Sequence, residues 1–331
     1  MRLKSFLLLL VSLVLIISGC GQSNKNQLSG KSEGEYSDFP KKPIEILVPY
    51  APGGGTDLIA RTLAKHLPKH LPNEQSITVV NQDGGGGIVG TTNFLKAKPD
   101  GYEILMAPIS LFTNTVLLHD VSYEKDSFEP LVKVATARQM LLVQENAPWK
   151  DFDEWLNYVK ENPGKFSYGV TAIGSKPHIA MELLAEEAGL DVKAVPYGGV
   201  GPAKTDLIGG HVDGVVGPIN GSDRGTLRPL ISYSGERGEN SPDVPILKES
   251  GYKVTIDVIQ AMFVPKDLPE EIKNILHDAI IKTMEDPDFI EEFKKTELDL
   301  TYASPEDLKE EIEAEYKLFE DMLENMDFEE E

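Results

Sequence analysis

A single cysteine in 331 residues excludes an internal disulfide framework and any metal site built on several thiolates. Cationic side chains are also scarce: 32 Lys and Arg stand against 54 Asp and Glu, a formal charge of −22. A field of that sign repels phosphate, which argues against nucleic acid as a partner. Long apolar runs are missing too. The run 6–17, broken only by Ser12, falls short of the ~20 apolar residues that a membrane-spanning helix needs. No His-Glu-x-x-His motif and no Gly-x-x-x-x-Gly-Lys-Ser/Thr P-loop occurs, and Pro68 breaks the helix that would align His66 with His70. No metal and no cofactor is expected. What remains is ordinary globular material, 40% hydrophobic and 26% charged, long enough for about two domains.

The run 6–17 follows a short basic head, Arg2 and Lys4, and suits a signal-peptide core. It ends in Ile17-Ser18-Gly19-Cys20, which resembles a bacterial lipoprotein box. That resemblance implies cleavage before Cys20 and lipid on the new N-terminal cysteine. The expected layout is a signal peptide over 1–19 and a lipidated tether over 20–40. The tether is rich in Ser, Asn, Gln, Gly and Lys and has too little apolar surface to offset ordering entropy. The folded part is then extracytoplasmic and anchored to the cell membrane.

Beyond the tether a strand–loop–helix pattern repeats. Strands are predicted over 44–48, 77–80 and 102–107, with helices over 58–67, capped by Thr56 or Asp57, and over 88–97. A second copy follows: an apolar stretch 140–143, helices over 152–159, 176–188 and 203–208, and strands over 166–170, 192–197 and 212–216. The fold class is α/β. Two periplasmic-binding-protein-like lobes are expected, each a mostly parallel sheet flanked by helices. Lobe 1 takes 41–138 and 258–331, and lobe 2 takes 139–257, with strand-like crossings near 136–143 and 255–264. From 304 onward, 13 acidic and two basic residues accompany an apolar stripe at helical spacing, read as a packed helix with a solvated acidic face.

Glycines crowd the ends of the first two strands: Gly53-Gly54-Gly55 and then Gly84-Gly85-Gly86-Gly87. Gly85-x-Gly87-x-x-Gly90 matches a dinucleotide fingerprint, but no acidic residue follows at the end of the next strand, so that reading is weak. Backbone N–H groups and helix dipoles at such loops favour a small anion instead. Neither loop contains Lys or Arg, so capture of an anion by this acidic chain has to rest on local backbone donors.

Val48-Pro49-Tyr50-Ala51-Pro52-Gly53-Gly54-Gly55-Thr56-Asp57, Val79-Val80-Asn81, Ala97-x-Pro99-Asp100-Gly101-Tyr102 and the second glycine loop resemble the receptors of tripartite tricarboxylate transporters, the Bug-type binding proteins. Gly174-Ser175-x-Pro177-His178, Val195-Pro196-Tyr197, Gly201-Pro202-Ala203 and Gly209-Gly210-x-Val212-Asp213 continue the likeness. The resemblance implies a binding protein, not an enzyme. It closes on a small organic carboxylate, di- or tricarboxylate, and delivers it to large and small integral membrane subunits. Carried over, the ligand-binding residues are Ala51, Gly53, Gly54, Gly55, Thr56, Asp57, Gly84, Gly85, Gly86, Gly87 and Ile88. The second lobe adds Ala172, Ser175, His178, Tyr197, Gly199 and Asp213. A monomer is expected. The family often has Gly at Ala172, Lys or Arg at Gly198 and an aromatic at Ile259, so the ligand does not transfer from a relative. Two other readings compete: a surface hydrolase using Ser175 and His178, and a carboxylate sensor ectodomain. Ser175 does not sit in a Gly-x-Ser-x-Gly elbow, and it also reads as a helix cap. Asp57 could likewise orient its loop without touching ligand.

Overall fold

The structure, a computed structural model, describes residues 38–325. Cys20, the signal peptide and most of the tether lie outside the described residues. Phe39 and Pro40, assigned to the tether from composition, are buried. One aromatic in a polar stretch suffices to hold it, because the Phe39 ring packs 5.1 Å from that of Tyr102.

The chain runs β1 (Ile44–Val48), α1 (Gly55–His66), β2 (Ile77–Asn81), α2 (Ile88–Phe94), β3 (Glu103–Pro108), α3 (Asn114–Leu118) and β4 (Phe128–Arg138). Gln139 alone separates β4 from β5 (Met140–Gln144), which leads through α4 (Phe152–Glu161), β6 (Phe166–Val170) and α5 (Lys176–Ala188). Then come β7 (Val192–Pro196), α6 (Val200–Ile208), β8 (Gly214–Gly217) and β9 (Leu227–Ser232). The last part is β10 (Asp257–Pro265), α7 (Glu270–Glu285), α8 (Pro287–Phe293), β11 (Asp299–Ala303) and α9 (Pro305–Asn325).

Two sheets result, ordered β11-β4-β10-β3-β1-β2 and β7-β6-β8-β5-β9. β1 pairs parallel with β2 and β3, and β6 pairs parallel with β7 and β8. The other pairings are antiparallel. Most strands of each sheet do share one direction, but both sheets are mixed. The crossing strands explain why: β4 leaves the first sheet on the side where β1 and β3 also end, so its continuation β5 enters the second sheet reversed.

Aromatic side chains fill the cores. Phe94, Phe112, Phe128 and Phe263 cluster on the first sheet. Trp149, Trp155, Phe152 and Phe166 do so on the second. Several boundaries differ from the sequence reading. Gly54, not Thr56 or Asp57, is the N-cap of α1, α2 stops at Phe94, and α6 begins at Val200. The C-terminal part also supplies a strand, β11. Its last helix starts as read: Ser304 Oγ accepts the Asp307 N–H at 3.1 Å, and Leu308, Ile312 and Phe319 are buried. His66 and His70 pair instead with Glu292 at 2.8 Å and Asp286 at 3.0 Å. Among the described residues, no helix is long and apolar enough to cross a membrane.

Candidate ligand cleft between the sheets

β1, β2, β6 and β7 all deliver their following loops to one place, where the two sheets face each other. The loop after β1 is held by Asp57, which is 2% exposed. Its Oδ2 accepts from the Gly53 N–H and from Arg61 Nε, each at 2.9 Å, and its Oδ1 accepts from Asn81 Nδ2 at 2.9 Å. Asn81 Nδ2 also reaches the Tyr50 carbonyl at 3.0 Å, tying the end of β2 to the same loop. Asp57 therefore spends its charge inside the protein and orients the loop. The first-turn N–H groups of α1, from Gly55, Thr56 and Asp57, have no intrahelical acceptor, and these residues line the cleft.

The loop after β2 differs from a plain helix start. Gly84, Gly85, Gly86 and Gly87 have φ of 130°, 57°, 66° and 104°. L side chains disfavour all four values, so the backbone path itself demands glycine there. Gly54 and Gly55 have no such requirement. A Cβ on Gly54 would come within 3.2 Å of Val200 Cγ1, so closeness across the cleft is what limits that position.

The loops of the two sheets touch. Ala51 N–H donates to the Gly198 carbonyl at 3.0 Å, and Asn114 Nδ2 donates to the Gly174 carbonyl at 2.7 Å. A Cβ on Gly86 would lie 2.3 Å from Ala172 Cβ, and one on Gly198 would lie 2.7 Å from Asp83 Oδ2. Between these contacts lies a narrow cleft, with about 70 Å³ of enclosed space.

Of the residues proposed from sequence, Gly54, Gly55, Thr56, Asp57, Gly85, Gly86, Ile88, Ala172 and Ser175 line this cleft. Ala51, Gly53 and Gly199 stand beside it at the loop-to-loop contact, while Gly84 and Gly87 shape the second loop. Tyr197 turns away, donating its hydroxyl to Asp206 at 2.8 Å, with its pKa pushed up to about 12 by burial and then by Asp206. Asp213 lies at the opposite strand ends, where it accepts the Ser167 N–H and hydroxyl at 2.8 Å. Ser175 is the N-cap residue of α5 by position, but its hydroxyl donates to the Ala172 carbonyl at 2.7 Å. His178 Nδ1 accepts the Gly174 N–H at 3.2 Å. Ser175, His178 and Asp213 are thus not assembled as a triad.

The cleft also contains groups absent from that set. Gln260, on β10, accepts from Thr56 Oγ1 at 3.0 Å, and Gln139 sits at the β4–β5 junction. They are 4% and 2% exposed. Gln260 interrupts the apolar run 258–264, and a polar amide in such a run was the available signal, whereas Gln139 follows Arg138 and carries no such mark. Tyr50, Ser110, Thr115, His119, Thr171 and Lys176 add further polar groups to the cleft wall. Burial raises the Tyr50 pKa, so its phenol remains a donor at neutral pH.

Residues 59–328 match the tripartite tricarboxylate transporter family receptor. The chain belongs to that family. It is 30% identical over 292 residues to a UPF0065 protein from a tcbD-tcbE intergenic region of a Pseudomonas species, covering 86% of each chain. The periplasmic binding protein BugD superposes with a TM-score of 0.81 at 29% identity, over 86% of this chain and 98% of that one. Two Rhodopseudomonas palustris proteins, solved with malate and with adipate, are each 25% identical. Their TM-scores are 0.77 and 0.80, over 86% of this chain and 99% and 97% of theirs. The receptor family is one of solute-binding proteins, and the two-sheet fold described above is the one these relatives share.

Two outcomes test this geometry in the receptor. Gly86→Ala should lower ligand affinity, because its methyl would collide with Ala172 and its φ would be strained. Combining it with Ala172→Gly should recover part of the loss, and titration calorimetry on the four proteins reads the coupling. Burial lowers the His178 pKa against the opposing pull of Glu182. Between that lowered value and its ordinary 6.5 the unfolded chain binds more protons, so stability should fall as pH drops through this window. Denaturant melts of wild type and His178→Gln should show a shallower fall in the variant.

Proposed function

We propose that this receptor is a lipid-anchored, extracytoplasmic binding protein for a small organic carboxylate, most simply a di- or tricarboxylate. In this reading it serves a secondary transporter with large and small integral membrane subunits. Lobe 1, over 41–138 and 258–331, and lobe 2, over 139–257, close on the ligand. The observation that carries the reading is the start of α1, which lacks a side-chain cap and whose first-turn residues Gly55, Thr56 and Asp57 line a cleft between two sheets. A carboxylate there replaces the missing acceptors and meets the positive end of the helix dipole. Support also comes from the malate and adipate held by the two R. palustris relatives. The neutral polar groups of Gln139, Gln260, Ser110 and Tyr50 then face the rest of the ligand. Because the binding energy resides in backbone donors, the overall charge of −22 opposes the approach of an anion more than its retention.

A thermal-shift screen of carboxylates on protein beginning after Cys20 tests the reading. A ligand at 100 times its Kd should add about 2.7 kcal/mol of stability, and Gly54→Val should weaken all carboxylates alike. A screen without any carboxylate stabiliser would remove the proposal. Anchoring is tested separately. Metabolic labelling with palmitate should mark the wild type and leave Cys20→Ser unlabelled, and an unlabelled wild type would refute the anchor.

A further inference from the structure

Lys176 is the one Lys or Arg among the residues lining the cleft. It opens α5 on the second sheet and is only 6% exposed. Its ammonium donates to the Asp257 carbonyl at 2.7 Å and to Glu315 Oε2 at 2.6 Å. The other carboxylate oxygen of Glu315, Oε1, accepts from Thr113 Oγ1 at 2.7 Å. Glu315 projects from α9, so this C-terminal helix reaches the cleft wall and links it to both sheets. The neighbouring carboxylate of Asp257 takes the Ser234 hydroxyl, which leaves Glu315 as the acid hydrogen-bonded to the Lys176 ammonium.

We infer that Glu315 is a specificity-determining residue: by pairing with Lys176 it cancels the cleft's lysine charge and keeps that charge from a second carboxylate of the ligand. Discrimination then falls to backbone N–H groups and neutral side chains, and a ligand gains little from an additional negative charge. With the acid neutralised, the ammonium can keep its hydrogen-bond acceptors but loses the charge that cancels its own, which leaves that charge to an anion in the cleft. A charge-assisted bond of that kind in a sheltered site is strong enough to reorder ligand preference. The inference rests on the carboxylate reading of the same cleft.

The test measures affinity ratios within matched pairs: succinate against butyrate, malate against 3-hydroxybutyrate, adipate against hexanoate. Each pair keeps the chain and changes the number of carboxylates. Titration calorimetry on the full folded part compares wild type, Glu315→Gln and the double variant Lys176→Met/Glu315→Leu. Glu315→Gln should raise the preference for the dicarboxylate about tenfold, and added salt should reduce that gain. The double variant should return to the wild-type ratio and also controls for lost packing, since it removes both charges. If Glu315 mattered only to folding, both members of a pair would weaken equally. An unchanged ratio in folded Glu315→Gln, or the same gain in the double variant, overturns the inference while leaving carboxylate binding intact. Binding of neither member of any pair, by wild type or variant, overturns the carboxylate reading together with it.

Discussion

The buried carboxylate of Asp57 is the constraint on which the cleft depends. Its two oxygens gather a loop N–H, a guanidinium and an amide from two successive strand ends, so the loops after β1 and β2 form one rigid wall. A buried charge of this kind is tolerable only when its lone pairs are filled. Filling them with Gly53 N–H and Asn81 fixes the direction in which the α1 helix leaves the sheet. Gly55 and Thr56, in its first turn, line the cleft as a consequence. Asp57 thus shapes the wall of the cleft while contributing a negative charge of its own, and Arg61 beside it offsets that charge.

The crossing strands supply the floor. β4 passes into β5 through a single residue, and β10 returns close by, so the sheets meet where their parallel strands end. Gln139 and Gln260 sit at that meeting, buried and uncharged. Neutral amides can hydrogen-bond to a ligand without the desolvation cost of ionised side chains. That suits a family whose solved relatives hold malate and adipate. Ala172 against Gly86 narrows one edge, and Gly198 against Asp83 does the same at another.

The acidic C-terminal helix is less uniform than its composition suggests. Leu308, Ile312 and Phe319 bury one face, while Leu318 is 65% exposed. Glu311 pairs with Lys133 and Glu313 with Lys125, both on the side of the first sheet. Glu315 alone of these reaches Lys176 on the other side. Acidic residues with one composition therefore have three different surroundings, decided by a helical turn of about 3.6 residues.

Much of the fold was legible because it is encoded locally. The apolar strands at 44–48 and 166–170, the turn at Pro99-Asp100-Gly101 and the Ser304 cap depend on neighbours in sequence, and they fall where the residues place them. The glycine run at 84–87 was legible as an unusual loop for the same reason, although its positive φ values, rather than close approach alone, require it. The mixed pairing of the sheets, the turning away of Tyr197 and the remote position of Asp213 were not legible. Each depends on which strand ends face the cleft, and that follows from crossings between residues far apart in the chain. Gln260, Gln139 and the Lys176–Glu315 pair belong to the same class. Local propensity determined the elements and the loops of this protein. Long-range pairing alone decided which buried polar groups meet, since hydrogen bonds and charge cancellation act over a few ångströms between residues separated by 139 positions.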